Sequence, residues 1–225
     1  MRIAFFGGSF DPPHFGHLAV ARAARAALAL DRILFAPVGH QPLKPAGSSA
    51  SFEDRVAMTR LAIEDEPAFS LSLADAPGPH PNYTIDTLAQ LAHEHPHAEL
   101  FCLLGADSFL GLPRWHRGAE LPFAAPLIVA ARPGESLADL ASILPDDLEL
   151  ASPPTPVSAP RGIHLQRATL QNAAGLTAPL YLLPDLHVEL SATDLRAQLA
   201  DPGHHPGLPD PVFSYIAAHD LYRGA

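Results

Sequence analysis

The residues best suited to chemistry lie in one short stretch near the amino terminus, Gly7-Gly8-Ser9-Phe10-Asp11-Pro12-Pro13-His14-Phe15-Gly16-His17. It is neither a GxxxxGK[ST] loop nor a GxGxxG fingerprint, yet its composition suits a phosphate. Glycines let the backbone approach a ligand closely, and a helix starting near His14 to Gly16 turns N–H groups and a positive dipole end toward an anion. His14 and His17, three apart, fall on one face of that first turn and add donors. The same residues also read as a Gly-rich turn whose histidines satisfy nearby carbonyls. Zinc is a weaker alternative, because two histidines lack a third ligand. Two further segments carry polar groups: Gly105-Ala106-Asp107-Ser108 and Ser191-Ala192-Thr193-Asp194-Leu195-Arg196. Asp107 and Ser191 also suit helix N-caps, and Arg196 alone reads equally as a surface arginine.

The elements that position these segments follow from apolar patterning. Ile3 to Phe6 is a short buried strand ended by glycines, and Arg32 to Pro37 is a second. Phe69 to Leu73, Glu99 to Leu104 and Pro126 to Ala131 read as further strands. Helical segments lie between them at Phe15 to Leu30, Phe52 to Asp65 and Thr84 to His95. Strands alternating with helices imply βαβ crossovers and a parallel, doubly wound Rossmann-like α/β sheet with helices on both faces. Ligands in such sheets bind outside the carboxyl ends of the strands, where all three polar segments fall. From Gly134 to Pro179 the chain is rich in Pro, Ala and Ser, and an irregular insertion is expected over roughly 135–180. Tyr181 to Leu183 resumes as a strand, and Thr193 to Ala200 and Val212 to His219 are helices in a carboxyl-terminal part spanning 191–225. A single domain over 1–225 is the simplest reading.

Composition narrows the class. The 225 residues are 48% apolar and 17% charged, as a folded domain with a sizeable core would be. A net charge of −10 argues against a basic face for nucleic acid. The lone Cys102 excludes a disulfide framework and a cysteine-based zinc site. No apolar run reaches the ~18 residues of a membrane span, and the first residues are too briefly apolar for a signal core. The cytoplasm and no membrane partner are expected. His93-Glu94-His95-Pro96-His97 and His204-His205 read as a solvated helix end and a turn.

The stretch GGSFDPPHFGH resembles the (T/S)xxH and HxGH phosphate motif of the nucleotidyltransferase superfamily. Ser191 to Arg196 resembles its ISxTxxR motif, with Leu190 in place of isoleucine or valine. Pro81-Asn82-Tyr83-Thr84, Leu112-Pro113-Arg114-Trp115, Arg132-Pro133-Gly134 and His219-Asp220-Leu221-Tyr222-Arg223 are similar to segments of the bacterial nicotinate-nucleotide adenylyltransferases. The resemblance implies transfer of the adenylyl group of ATP to nicotinate mononucleotide, giving nicotinate adenine dinucleotide and pyrophosphate in NAD biosynthesis.

It implies catalytic roles for His14, His17 and Arg196. ATP would be met by Gly8, Ser9, Phe10 and Gly16 beside the first strand, by Gly105 and Asp107, and by Ser191 and Thr193. The nicotinate nucleotide would be met by Asp11, Lys44, Tyr83, Thr84, Arg132 and Trp115, the last stacking on the pyridine ring. Magnesium would be carried with ATP, with no tightly bound cofactor and no protein metal site. The partners are small molecules, and a homo-oligomer is left open. Val38 and Leu43 depart from the family's PNxxPPHK loop. Two other readings stand beside this one: an acceptor such as nicotinamide mononucleotide or phosphopantetheine, and a nucleotide-binding regulator without turnover.

Overall fold

The computed structural model describes residues 1–43, 47–131, 143–160, 163–184, 186, 190–199 and 207–223. Its strands are β1 (Arg2–Gly8), β2 (Arg32–Pro37), β3 (Phe69–Leu71), β4 (Glu99–Gly105), β5 (Leu127–Ala130), β6 (Leu148–Val157), β7 (Leu165–Asn172) and β8 (Thr177–Leu183). They join one sheet in the order β3-β2-β1-β4-β5-β8-β7-β6. From β3 to β8 along that order every pairing is parallel, as the strand–helix alternation requires.

Successive side chains of a strand point to opposite faces, so the near-continuous apolar strands feed two cores. On one face Ile3, Phe5, Leu34, Cys102 and Val129 pack with Ile85 and Leu88 of α3 (Thr84–Glu94), Phe109 of α4 (Ala106–Leu110) and Leu121 of α5 (Leu121–Ala124). On the other, Ala4, Phe6, Phe35, Phe101 and Ile128 meet α1 (Phe15–Leu28), α2 (Phe52–Ile63), α6 (Ala192–Leu199) and α7 (Asp210–Ala218). Burial on both faces is what a parallel sheet demands, and the fold is Rossmann-like. Cys102 is fully buried, which pushes its thiol up to about 12 and leaves it inert. No helix among the described residues is long and apolar enough to cross a membrane.

The described part of 135–180 differs from the irregular insertion expected of it. β6 and β7 pair antiparallel, and β7 continues onto β8. Prolines hide this in the sequence: Pro153, Pro154 and Pro156 all lie within β6. An edge strand needs no partner for its outward N–H positions, so proline is tolerated there. The register accommodates them by shifting between Leu150 and Ser152 and again between Ser152 and Thr155.

β1 and β4 are neighbours whose crossovers leave in opposite directions, toward β2 and toward β5. Such a reversal opens a crevice outside the carboxyl ends of the two strands.

Candidate active site

A cleft of about 760 Å³ occupies that crevice. β1 ends on Gly7 and Gly8, where a Cβ on Gly7 would stand 2.7 Å from the Phe5 ring. The chain then turns through Phe10, whose φ of 46° is left-handed, and reaches α1 at His14. His14 is the N-cap, and its Nδ1 accepts the Gly16 N–H at 3.1 Å. The His17 Nδ1 in turn accepts the His14 N–H at 3.2 Å. Two imidazoles thus build a reciprocal capping box, with ring centroids 3.8 Å apart. A backbone N–H can meet only a lone pair, so in each neutral ring the proton sits on Nε2. Both histidines line the cleft, His14 almost wholly buried. Phe10, expected against ATP, also lines the cleft; it is buried, edge-on to Phe6, with its ring centroid 4.9 Å from that of His17.

Ser191, Thr193 and Arg196 line the same cleft from the start of α6. Arg196 donates from Nη1 to the Asp11 main-chain oxygen at 2.7 Å and from Nη2 to Thr193 Oγ1 at 3.3 Å. Asp11, expected to meet the nicotinate nucleotide, lines the cleft, and its carboxylate is hydrogen-bonded within the protein. It accepts from Ser49 N at 2.6 Å, Ala50 N at 3.1 Å and the Tyr222 hydroxyl at 2.7 Å. Only 4% of Asp11 is exposed, so the carboxylate also ties the 47–51 segment and Tyr222 to the cleft wall. Arg55, absent from the sequence reading, is buried next to it and donates from Nη1 to Ser9 O at 2.7 Å. Burial lowers the Arg55 pKa, with the charge of Asp11 opposing.

The opposite wall is aromatic and belongs to different elements. Tyr83 is the N-cap of α3; its carbonyl accepts from Asp86 N at 3.0 Å, and its side chain makes no cap hydrogen bond to the first turn. Tyr83, Thr84, Trp115 and His116 line the cleft together, and the Tyr83 and His116 rings lie 4.2 Å apart. His116 was not foreseen, because one exposed histidine after a tryptophan carries no distinguishing pattern.

The loop after β2 is stitched to the segment before α3. Gly39 N donates to Asp75 O at 2.7 Å, His40 N to Asn82 Oδ1 at 2.8 Å, and Asn82 N returns to His40 O at 3.1 Å. Ser9 Oγ joins the same loop at Gln41 Oε1, 2.9 Å away. Asp75, also unforeseen, sits at the cleft with 4% exposure and accepts the Thr87 hydroxyl. Burial raises its carboxyl to about 6, against the lowering effect of Thr87.

Gly105 and Asp107 line the cleft at the end of β4, and Asp107 Oδ1 accepts the Ser108 N–H at 2.9 Å. Gly8, Ser9 and Gly16 line it from the β1 side. Lys44, Arg132 and the His204-His205 pair lie outside the described residues. No group of three His, Cys, Asp or Glu among the described residues could hold a metal ion; His93 and His97 are exposed at the end of α3. One wall therefore offers donors for anions, and the facing wall offers flat rings and a helix start.

Comparison with known proteins places the chain among its relatives. A family model described as cytidylyltransferase-like matches residues 5–198. A protein of Pelobacter propionicus named "probable nicotinate-nucleotide adenylyltransferase" is 42% identical over 224 residues, covering 99% of this chain and 98% of its own. One of the same name from Gloeobacter violaceus is 40% identical over 223 residues, covering 98% and 96%. Among solved structures, the Plasmodium falciparum nicotinic acid mononucleotide adenylyltransferase complexed with NaAD superposes with a TM-score of 0.68 at 17% identity, over 98% of this chain and 97% of that one. That last likeness is one of fold.

Proposed function

The chain belongs to the nicotinate-nucleotide adenylyltransferase family, and from that premise we propose that it transfers the adenylyl group of ATP to nicotinate mononucleotide, releasing pyrophosphate and forming nicotinate adenine dinucleotide. The observation that carries this reading is the meeting, in one cleft, of His14, His17, Thr193 and Arg196 with Tyr83, Thr84 and Trp115. Phosphate donors alone would suit many nucleotides. The aromatic wall beside a helix start suits a flat ring bearing a carboxylate.

The nucleophile is a phosphate oxygen of the mononucleotide, already ionised, so no side chain needs to remove a proton. It attacks the α-phosphorus of ATP; the bond to the β-phosphate oxygen breaks and pyrophosphate leaves with the electron pair. What remains for the protein is alignment and charge stabilisation. His14 and His17, with Nδ1 fixed by backbone N–H groups, present Nε2–H donors in a set orientation. The start of α1 adds its dipole. Arg196, Ser191 and Thr193 hold the departing β- and γ-phosphates, and Asp107 meets ribose hydroxyls. ATP enters as its magnesium complex, the ion riding on the phosphates. Lys44 and Arg132 are proposed to close on the mononucleotide. The buried thiol of Cys102 fits a reducing compartment, the cytoplasm.

A second acceptor, nicotinamide mononucleotide, would enter the same wall, and discrimination rests on how the α3 start receives carboxylate or amide. The test is purified protein with magnesium ATP and each acceptor in turn. Pyrophosphate release is expected with nicotinate mononucleotide, with a kcat/KM at least ~10-fold lower for the amide and none for phosphopantetheine. Tight ATP binding without release on any acceptor would contradict transfer and favour a regulator.

A further inference from the structure

Arg196 stands beside a buried carboxylate that could take its charge away from the phosphates, and the structure holds it off. Its Nη1 is 4.0 Å from Asp11 Oδ2, while the same nitrogen is bonded to the Asp11 carbonyl at 2.7 Å. A guanidinium and a largely buried carboxylate this close favour a bidentate pair. Such a pair would occupy the donors that a pyrophosphate group needs. Three donors already on the carboxylate oppose that collapse: Ser49 N on Oδ2, and Ala50 N with the Tyr222 hydroxyl on Oδ1. Of these Tyr222 alone is a side chain, and it arrives from 211 residues further along the chain.

Tyr222 is built into this place. It is buried in the core shared with α1 and α7, and its backbone takes a left-handed φ of 63°, a conformation that costs a non-glycine residue energy and persists where its surroundings enforce it. Burial, with the charge of Asp11 beside it, raises the phenol pKa and keeps the hydroxyl a donor. Arg55 faces the same loop from α2, its Nη1 on Ser9 O.

We propose that Tyr222 is a positioning residue for adenylyl transfer: its hydroxyl holds Asp11 Oδ1 so that the Arg196 guanidinium stays on the Asp11 carbonyl, directed to the phosphates, and does not fold onto the carboxylate. The proposal rests on the phosphate role of Arg196 given above, not on the identity of the acceptor. Its test is therefore ATP binding by calorimetry without any acceptor, in parent protein, Tyr222→Phe, Asp11→Asn and the double variant. Tyr222→Phe, which keeps the ring and its packing, weakens ATP about tenfold. In the Asp11→Asn background the same change alters ATP affinity less than twofold, because no carboxylate is left to draw the arginine. Unchanged ATP affinity in Tyr222→Phe overturns the proposal. An equal tenfold loss in both backgrounds also overturns it, since the hydroxyl would then act through packing alone. Turnover with nicotinate mononucleotide, measured on the parent, reports separately on the acceptor.

Discussion

One imidazole of the cleft has two tasks: His17 caps the amino terminus of α1 through Nδ1 and, in the proposed reaction, donates from Nε2. His17→Ala removes both. We expect kcat/KM to fall by about 10²–10³, with a stability loss of only ~1 kcal/mol from the missing cap; steady-state kinetics beside a denaturation curve separates the two, and full activity would refute the role. Asp75 carries a different expectation. Burial raises its carboxyl to about 6 in the folded chain, against 3.8 for a free aspartate, so between those values the folded state binds the more protons. Stability then falls as pH rises from about 4 to 6 and levels off above, by roughly 3 kcal/mol in all. Asp75→Asn should be the more stable protein at pH 7 to 8 and show a flatter profile in urea melts; a loss of stability at pH 8 would contradict this. That His14, His17 and Arg196 meet at one cleft was legible in the sequence through their resemblance to two known motifs. Arg55 was not, since it follows Glu53 and Asp54 and reads as a solvated helix face, although the buried side of α2 is Arg55, Met58, Thr59 and Ala62.

At the scale of elements, the aromatic wall depends on two loops held edge to edge. A Cβ on Gly39 would lie 2.4 Å from the Pro77 nitrogen, a backbone contact that cannot give way cheaply. Gly39→Ala should part the loops, raising KM for nicotinate mononucleotide about tenfold or more while KM for ATP moves less than twofold. Equal effects on both substrates would show that the loops serve the whole cleft. The central parallel strands were readable because strands buried on both faces are apolar almost throughout. β6 was not, because prolines that break a central strand are permitted at an edge, where they also discourage edge-to-edge pairing. Replacing Pro153, Pro154 and Pro156 together by Val should therefore promote concentration-dependent association, seen by sedimentation; a variant that stays at the parent's molecular mass would argue that the edge is protected otherwise.

Across the whole molecule, the proposed reaction asks a chain of net charge −10 to handle four phosphate-bearing species with a few sited groups. The sheet makes this workable: its order reverses between β1 and β4, and the ends of β1 and β4 with the starts of α1, α3 and α6 converge on one cleft. Residues far apart in sequence become neighbours, as Asp11 and Tyr222 do, and that long-range closure is what local patterns could not announce. The central claim is that the histidine side of the cleft handles phosphate and the aromatic side handles the pyridine. A crystal structure with nicotinate adenine dinucleotide bound tests it most directly. We predict the pyridine ring against Trp115 with its carboxylate at the start of α3, and the bridging phosphates beside His14 and His17. A dinucleotide seated in the reverse sense, or outside the cleft, would contradict the account.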